Sequence, residues 1–259
     1  MKPDSHRLFA LDAAVIVAGS ALISAMSQRL LFLTVAVPVI LVLRFGILAF
    51  LLKREAGSLS RELILFLICL GLGAFNDWNS VCNYKIYDYT VPHFFAFSTI
   101  PIWMLLFWGM ILRGFLRLCR WQALAPLETP DNRVHLGFTT LDNGWLKIAV
   151  LLALVLATRQ AIYRLFLDPI WSWAPFAIAL ALYVFFFRLS TRDLKLLGFF
   201  LLAGPGMEIL LINVGHLHRY HLGWLLGVPL WIALWWLLAI LVWQDLGLRL
   251  ESRLQRVFG

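Results

Sequence analysis

Charged side chains are scarce in this sequence. They make up 14% of its 259 residues, whereas hydrophobic residues make up 62%. Soluble globular proteins average roughly 25% charged and about 45–50% apolar residues. A soluble protein with the present composition would expose large apolar patches. The composition therefore excludes an ordinary soluble enzyme and predicts an integral membrane protein.

Cysteine is also rare, and the motifs of common cofactor sites are missing. Cys69, Cys82 and Cys119 lack the spacing of a metal or redox pair, so we expect neither a zinc site nor a disulfide framework. There is no phosphate-binding glycine loop, nucleophile elbow or dinucleotide fingerprint. We therefore expect no metal and no cofactor.

Long apolar runs dominate what is present, and they predict an all-α polytopic bundle of about eight transmembrane helices. Span three is short, and Arg159 and Arg164 interrupt span five, so seven spans is the alternative count. The predicted spans are Leu8–Met26, Leu30–Leu52, Leu63–Phe75, Phe94–Leu116, Trp145–Phe166, Ile170–Phe187, Leu194–Val214 and Leu222–Trp243.

The basic residues explain the net charge of +8. They lie between the apolar runs, and on one side of the predicted membrane they outnumber those on the other side by about three to one. From this bias we expect both chain ends in the cytoplasm and the protein in an inner membrane of bacterial type. Since topology accounts for the charge, we expect no nucleic acid partner.

Two similar halves are indicated by the runs that begin at Ile100 and Val228. Pro101, Trp103 and Trp108 align without gaps with Pro229, Trp231 and Trp236. A parallel duplication of a four-helix unit is predicted, with a first half at 1–126, a cytoplasmic connecting loop at 127–143 and a second half at 144–259. Chance recurrence of tryptophan is the alternative. The polar segments 76–89 and 206–221 would then converge on the non-cytoplasmic side.

Glu208 is the sharpest candidate for chemistry, because a carboxyl group at membrane depth is costly. It follows Gly204-Pro205-Gly206, which predicts a helix break. Burial would favour the neutral acid, which could donate a proton. A structural ion pair with Arg44 is the alternative. Asp77 is the counterpart of Glu208 in the first half, where an interfacial helix cap is the alternative.

Other candidate residues surround these two carboxyl groups. The cluster His216, His218 and His221 favours solvated or proton-handling histidines over a metal site. Arg44, the one charge in span two, could bind a phosphate group. Deep tryptophans could line a pocket for a long apolar ligand or stabilise a cation, with simple helix packing as the alternative. These tryptophans are Trp103, Trp108, Trp231, Trp235 and Trp236.

Four short motifs resemble the membrane carotenoid-biosynthesis hydratases of the bacterioruberin type and, more faintly, the membrane lycopene cyclases. The motifs are IYDYT (86–90), IPIWMLLFW (100–108), MEILLINVG (207–215) and GVPLWIALWW (227–236). The first half departs from the family pattern, because Asp77 and Asn79 stand in place of a glutamate.

The resemblance implies protonation of a carbon–carbon double bond, followed by hydration or cyclisation. Glu208 and Asp77 would donate the proton, and His216 or Asn213 would hold water or recover the proton. The remaining candidates would bind the substrate; they are Trp103, Trp108, Trp231, Trp235, Tyr87, Tyr89 and Arg44.

The resulting hypothesis is an integral membrane enzyme that acts on an isoprenoid or carotenoid-type lipid by acid–base chemistry. A small proton-coupled transporter or lipid carrier is one alternative. A non-catalytic membrane assembly partner is the other. The expected partner is a membrane lipid or isoprenoid, and the sequence leaves the oligomeric state open.

Overall fold

The computed structural model describes residues 5–52, 58–94, 99–124 and 131–258. Within these residues the chain forms eight α-helices, which confirms the predicted all-α bundle. They are α1 (Ser5–Met26), α2 (Leu30–Leu52), α3 (Ser58–Trp78), α4 (Ile102–Arg120), α5 (Gly144–Leu165), α6 (Ala174–Phe186), α7 (Thr191–Asn213) and α8 (Leu230–Phe258). A short π-helical turn, Asn79–Asn83, extends α3.

Seven of these helices are long and apolar enough to cross a membrane, and α6 is the exception. Its 13 residues span about 20 Å, less than the roughly 30 Å hydrocarbon core of a bilayer. The chain nevertheless traverses the bundle at α6. Phe176 at its start stacks on Trp231 at the start of α8, and Phe187 at its end lies 5.1 Å from Lys147 Nζ at the start of α5. The protein is therefore a polytopic helical membrane protein.

Local sequence signals explain where the second-half helices begin. The Asn143 side chain accepts hydrogen bonds from the backbone N–H groups of Trp145 and Leu146 at the start of α5. Ser190 and Asp193 form a reciprocal capping box at the start of α7. Each cap satisfies backbone donors that a helix start otherwise leaves unpaired.

The predicted break at Gly204-Pro205-Gly206 is wrong, because α7 continues through Pro205. Packing explains the continuity. A Cβ atom at Gly204 would lie 2.3 Å from Trp236 Cγ, so the absence of a side chain lets α7 and α8 approach closely. Proline within a membrane helix is tolerated where neighbouring elements compensate for its missing N–H group.

Both described ends of the chain lie at the same face of the bundle. Phe9 in α1 stacks on Trp121 just after α4, with ring centroids 4.4 Å apart. Arg120 at the end of α4 pairs with Glu251 near the end of α8, at 2.8 Å. The α3–α4 and α7–α8 connections therefore meet at the opposite face.

Two short antiparallel sheets accompany the helices. Strands β1 (Tyr87–Tyr89) and β4 (His218–Tyr220) pair at the face opposite the chain ends. Strands β2 (Arg133–Leu136) and β3 (Thr139–Asp142) form a hairpin before α5. The predicted connecting loop at 127–143 contains this hairpin, and residues 127–130 lie outside the described residues. The hairpin is fixed in place because Val134 is buried against the helices.

Candidate functional site

Asp77 is the centre of the polar site in the first half. It lies at the end of α3 and is 0% exposed. Its Oδ1 accepts a short hydrogen bond from Tyr87 Oη, and its Oδ2 accepts one from Tyr89 Oη at 2.7 Å. Both tyrosines belong to β1, so the strand returns over the helix end that carries the carboxylate.

Glu208 has the same arrangement in the second half. It is 7% exposed, and its Oε2 lies 3.0 Å from His218 Nε2 and accepts a hydrogen bond from Tyr220 Oη at 3.2 Å. His218 follows Glu208 by 10 positions and Tyr220 by 12, as Tyr87 and Tyr89 follow Asp77. The prediction that Asp77 and Glu208 are counterparts agrees with this geometry.

The two half-sites meet through the β1–β4 sheet. Tyr87 pairs with Tyr220 and Tyr89 with His218. Exchanging the two halves leaves this register unchanged, as a twofold axis through the sheet requires. The rings of Tyr87 and His218 lie 5.3 Å apart, and those of Tyr87 and Tyr220 lie 5.4 Å apart. We call Asp77, Tyr87, Tyr89, Glu208, His218 and Tyr220 the paired carboxylate cluster.

The phenols of this cluster act as hydrogen-bond donors. Burial in the β1–β4 sheet raises the pKa values of Tyr87, Tyr89 and Tyr220 well above the ordinary value for tyrosine. The nearby carboxyl groups raise these pKa values further. These hydroxyls therefore stay protonated. Each half-site is a buried carboxyl group whose donors come from its own strand.

An apolar cleft separates parts of the two halves and has an empty volume of ≈ 850 Å³. We call it the inter-half cleft. Its walls come from α1, α4, α7 and α8, with Ala13, Gly114 and Ala203 as small residues and Phe115 and Trp236 as large ones. A narrower cavity of ≈ 370 Å³ shares Met207 and Trp236 with the cleft and reaches Glu208.

A second cavity lies on the other side of the cluster and has an empty volume of ≈ 480 Å³. We call it the Arg159 cavity. It combines polar groups on α3, the π-helical turn and α5 with aromatic rings on α8. Its lining includes Asn76, Ser80, Arg159, Tyr163, Phe176, Glu208, Trp231 and Trp235.

The predicted substrate-binding tryptophans lie in different parts of the bundle. Trp231 and Trp235 line the Arg159 cavity, and Trp108 lines it together with the narrow cavity. Trp108 and Trp236 stack across the twofold axis at 6.4 Å. Trp103 is fully buried in the helix core of the first half.

Three further predicted residues lie outside both the cluster and the cavities beside it. Asn213 is exposed and donates to the carbonyls of Ile209 and Leu226, while exposed His216 accepts a hydrogen bond from Thr90 at its carbonyl. Arg44 does not pair with Glu208.

Arg44 instead belongs to a buried ion network near the chain ends. Its Nε donates to Asp12 at 2.7 Å, and Arg113 donates twice to Glu62 at 2.7 and 3.0 Å. Buried arginines need such carboxylate partners. This network ties α1, α2, α3 and α4 together at the end of the bundle away from the cluster.

The histidines of the predicted cluster point to different partners. His218 contacts Glu208, whereas His221 Nε2 lies 3.8 Å from Asp88 Oδ2. Among the described residues no group of three or more potential metal ligands converges. The sequence motifs did not identify Tyr220 and Arg159 as members of the site. The matched spacing of Asp77, Tyr87 and Tyr89 with Glu208, His218 and Tyr220 was the signal that could have identified Tyr220.

These features define a polytopic membrane protein built from two pseudo-symmetric halves. No protein-family model and no curated protein matches the chain. Among solved structures, it is similar to MvINS, a mycobacterial Insig homologue from Mycobacterium vanbaalenii. The identity is 20%, the TM-score is 0.54, and the match covers 73% of this chain and 92% of that chain.

An arginine-to-cysteine variant of MvINS, crystallised as a cross-linked trimer, matches in the same way. Its identity is 20% and its TM-score 0.55, with 75% of this chain and 96% of that chain covered. At this identity the likeness shows a shared fold alone.

Proposed function

We propose that this protein is a non-catalytic membrane protein that binds a long apolar lipid in the inter-half cleft. The observation that carries the proposal is the cleft itself, which has an almost wholly apolar lining between helices of the two halves. Val17 and Phe199 on its rim are 68% and 51% exposed, so the cleft opens toward the surrounding lipid. An apolar concave site that opens to lipid suits an acyl or isoprenoid chain.

The paired carboxylate cluster supports a non-catalytic role. Each carboxyl group already has two hydrogen-bond partners from its own strand, and the two strands join the halves. The cluster therefore acts as a link between the halves. Met207 and Trp236 line both the cleft and the cavity that reaches Glu208. A lipid in the cleft would therefore contact side chains that also pack beside the cluster.

Filling the cleft tests the proposal. Ala203→Trp places a large ring in the cleft, whereas Leu202→Trp is the matched control because Leu202 is 76% exposed on the outer side of the same helix. We expect purified wild type and Leu202→Trp to retain a lipid that mass spectrometry identifies, and Ala203→Trp to lose it. Equal lipid content in all three proteins would refute the proposal.

We also propose that the protein assembles with further copies of itself, with both chain ends in the cytoplasm. Its structural relative MvINS was crystallised as a trimer, and the basic residues favour this orientation. Native mass spectrometry of the detergent-extracted protein gives the copy number, and a purely monomeric spectrum would count against assembly. Reporter fusions at both ends test the orientation.

A second candidate function is acid–base catalysis on an isoprenoid lipid, as in the carotenoid hydratases. Glu208 favours it, because this carboxyl group lines a cavity whose walls include Trp108, Trp231 and Trp235. Lipid inventories of cells with wild type, Glu208→Gln and no gene decide between the two functions. A product shifted by one water that only the wild type forms would support catalysis.

A further inference from the structure

Arg159 is a cation that has no anionic partner among the residues that the structure describes. It lies in α5, within a predicted membrane span, and its guanidinium donates to Tyr163 Oη through Nε at 2.7 Å and through Nη2, and to Asn76 Oδ1 through Nη1. All of these acceptors are neutral. No carboxylate in the described ranges lies within ion-pair distance of it.

Three buried basic side chains differ from Arg159 in this respect. Arg44 pairs with Asp12, Arg113 with Glu62, and Lys147 with Asp245. A charge at membrane depth normally has a counter-charge or faces an aqueous cavity. Arg159 is half-buried, and its guanidinium lines the Arg159 cavity without an ion-pair partner among the described residues.

An unsatisfied hydrogen-bond donor lines the same cavity as this cation. Trp231 is 5% exposed, and its indole N–H has no hydrogen-bond acceptor within the residues described. A buried donor without an acceptor is costly. An anionic hydrogen-bond acceptor would balance the charge of Arg159 and would also accept a hydrogen bond from Trp231.

The side chains that line the cavity provide few acceptors for Arg159 and Trp231. Glu208 is the one acidic residue in its lining, and its carboxyl group contacts His218 and Tyr220. Apart from Asn76, Ser80 and tyrosine hydroxyls, the remaining lining is apolar or aromatic, with Phe176 and Trp235 among its residues. The lining therefore has a polar end, which carries the positive charge of the Arg159 guanidinium, and an apolar side.

We propose that the Arg159 cavity binds the oxyanion headgroup of an acidic lipid. Arg159 would donate two parallel hydrogen bonds to a carboxylate or phosphate, the geometry for which guanidinium is suited. Trp231 would supply a third donor, and the lipid chain would lie along Phe176 and Trp235. This site is separate from the inter-half cleft, and the inference does not rest on the function proposed for the cleft.

Binding to delipidated full-length protein, followed by native mass spectrometry, tests the site. The probes are oleate, phosphatidate and the uncharged methyl oleate. Arg159→Gln removes the charge but keeps hydrogen-bonding capacity, and Arg164→Gln is the matched control on an exposed position of the same helix. We expect Arg159→Gln to weaken binding of an acidic probe by about tenfold or more, because charged hydrogen bonds are lost. Binding of methyl oleate should not change.

A second variant covers the case in which Arg159→Gln fails to fold. Asn76→Asp supplies a carboxylate at the position that Arg159 already contacts, so the cation is neutralised without removing it. We expect the same selective loss of acidic lipid binding. Loss for oleate and phosphatidate together identifies a general oxyanion site, and loss for phosphatidate alone identifies a phosphate site.

Three results would overturn the inference. The first is acidic lipid binding that neither Arg159→Gln nor Asn76→Asp weakens. The second is an equal loss in Arg164→Gln, which would indicate general surface charge. The third is an equal loss of methyl oleate. The Ala203→Trp variant should keep acidic lipid binding, so failure at one site is distinguishable from failure at the other.

Discussion

Removing the Asp77 carboxylate tests whether the paired carboxylate cluster stabilises the fold. Asp77 is 0% exposed and accepts hydrogen bonds from Tyr87 and Tyr89. In Asp77→Ala these two buried hydroxyls lose their acceptor. An orphaned buried donor costs roughly 1–3 kcal/mol, so we expect the free energy of unfolding to fall by roughly 2–6 kcal/mol.

The same reasoning predicts a rescue. Combining Asp77→Ala with Tyr87→Phe and Tyr89→Phe removes the donors together with the acceptor. Replacing both partners of a buried hydrogen bond by apolar groups can be nearly neutral. The triple variant should therefore recover much of the stability that Asp77→Ala loses, despite having fewer polar contacts.

Glu208→Ala provides the matched comparison in the other half. Glu208 lines two cavities, so water can replace the lost carboxylate for His218 and Tyr220. We expect a smaller loss than for Asp77→Ala. Thermal unfolding of the purified protein in mild detergent, followed by tryptophan fluorescence, measures all three variants.

Two outcomes would refute this account. If the triple variant is as unstable as Asp77→Ala, orphaned hydroxyls are not the cause of the loss. If Glu208→Ala costs as much as Asp77→Ala, solvation of the second half-site does not compensate for the missing carboxylate.

Two further predictions use the same unfolding assay. Gly204→Ala should lower the melting temperature, because its Cβ would lie 2.3 Å from Trp236 Cγ and overpacking costs about 1–3 kcal/mol. Gly198→Ala, which meets nothing within 4 Å, should leave the temperature unchanged or raise it, and the reverse order would contradict the packing argument. Glu62→Gln should destabilise the protein by about 3–5 kcal/mol, because Arg113 and Arg117 both lose their closest carboxylate partner, at 2.7 and 2.6 Å. A loss below about 1 kcal/mol would show that the ion network contributes as weakly as an exposed pair.

Much of the local structure could be predicted from the sequence because it depends on short segments. A membrane helix needs about 20 apolar residues, and this requirement located α1, α2, α5 and α7 closely. Pro101 directly precedes α4, and this helix begins well after the Phe94 start of the predicted span. The predicted boundary was early because apolar composition alone does not locate the first residue of a helix.

The partners of buried charges could not be predicted in the same way. Arg44 was expected beside Glu208 or a phosphate, but Asp12, 32 positions away, is its partner. Glu208 was recognised as a buried carboxyl group, yet its contact with Tyr220 depends on how β4 returns over α7. Such pairs are decided by which helix ends meet, and hydropathy carries no information about that.

The sequence by itself determined the membrane class and the approximate helices. These follow from composition and from the length of apolar runs. Only the tertiary structure decided that α7 passes straight through Pro205, that β1 and β4 join the halves, and that Arg159 faces a cavity without a carboxylate partner. Each of these results depends on close packing between segments distant in the chain, and packing depends on three-dimensional shape, which a linear pattern of residues does not specify.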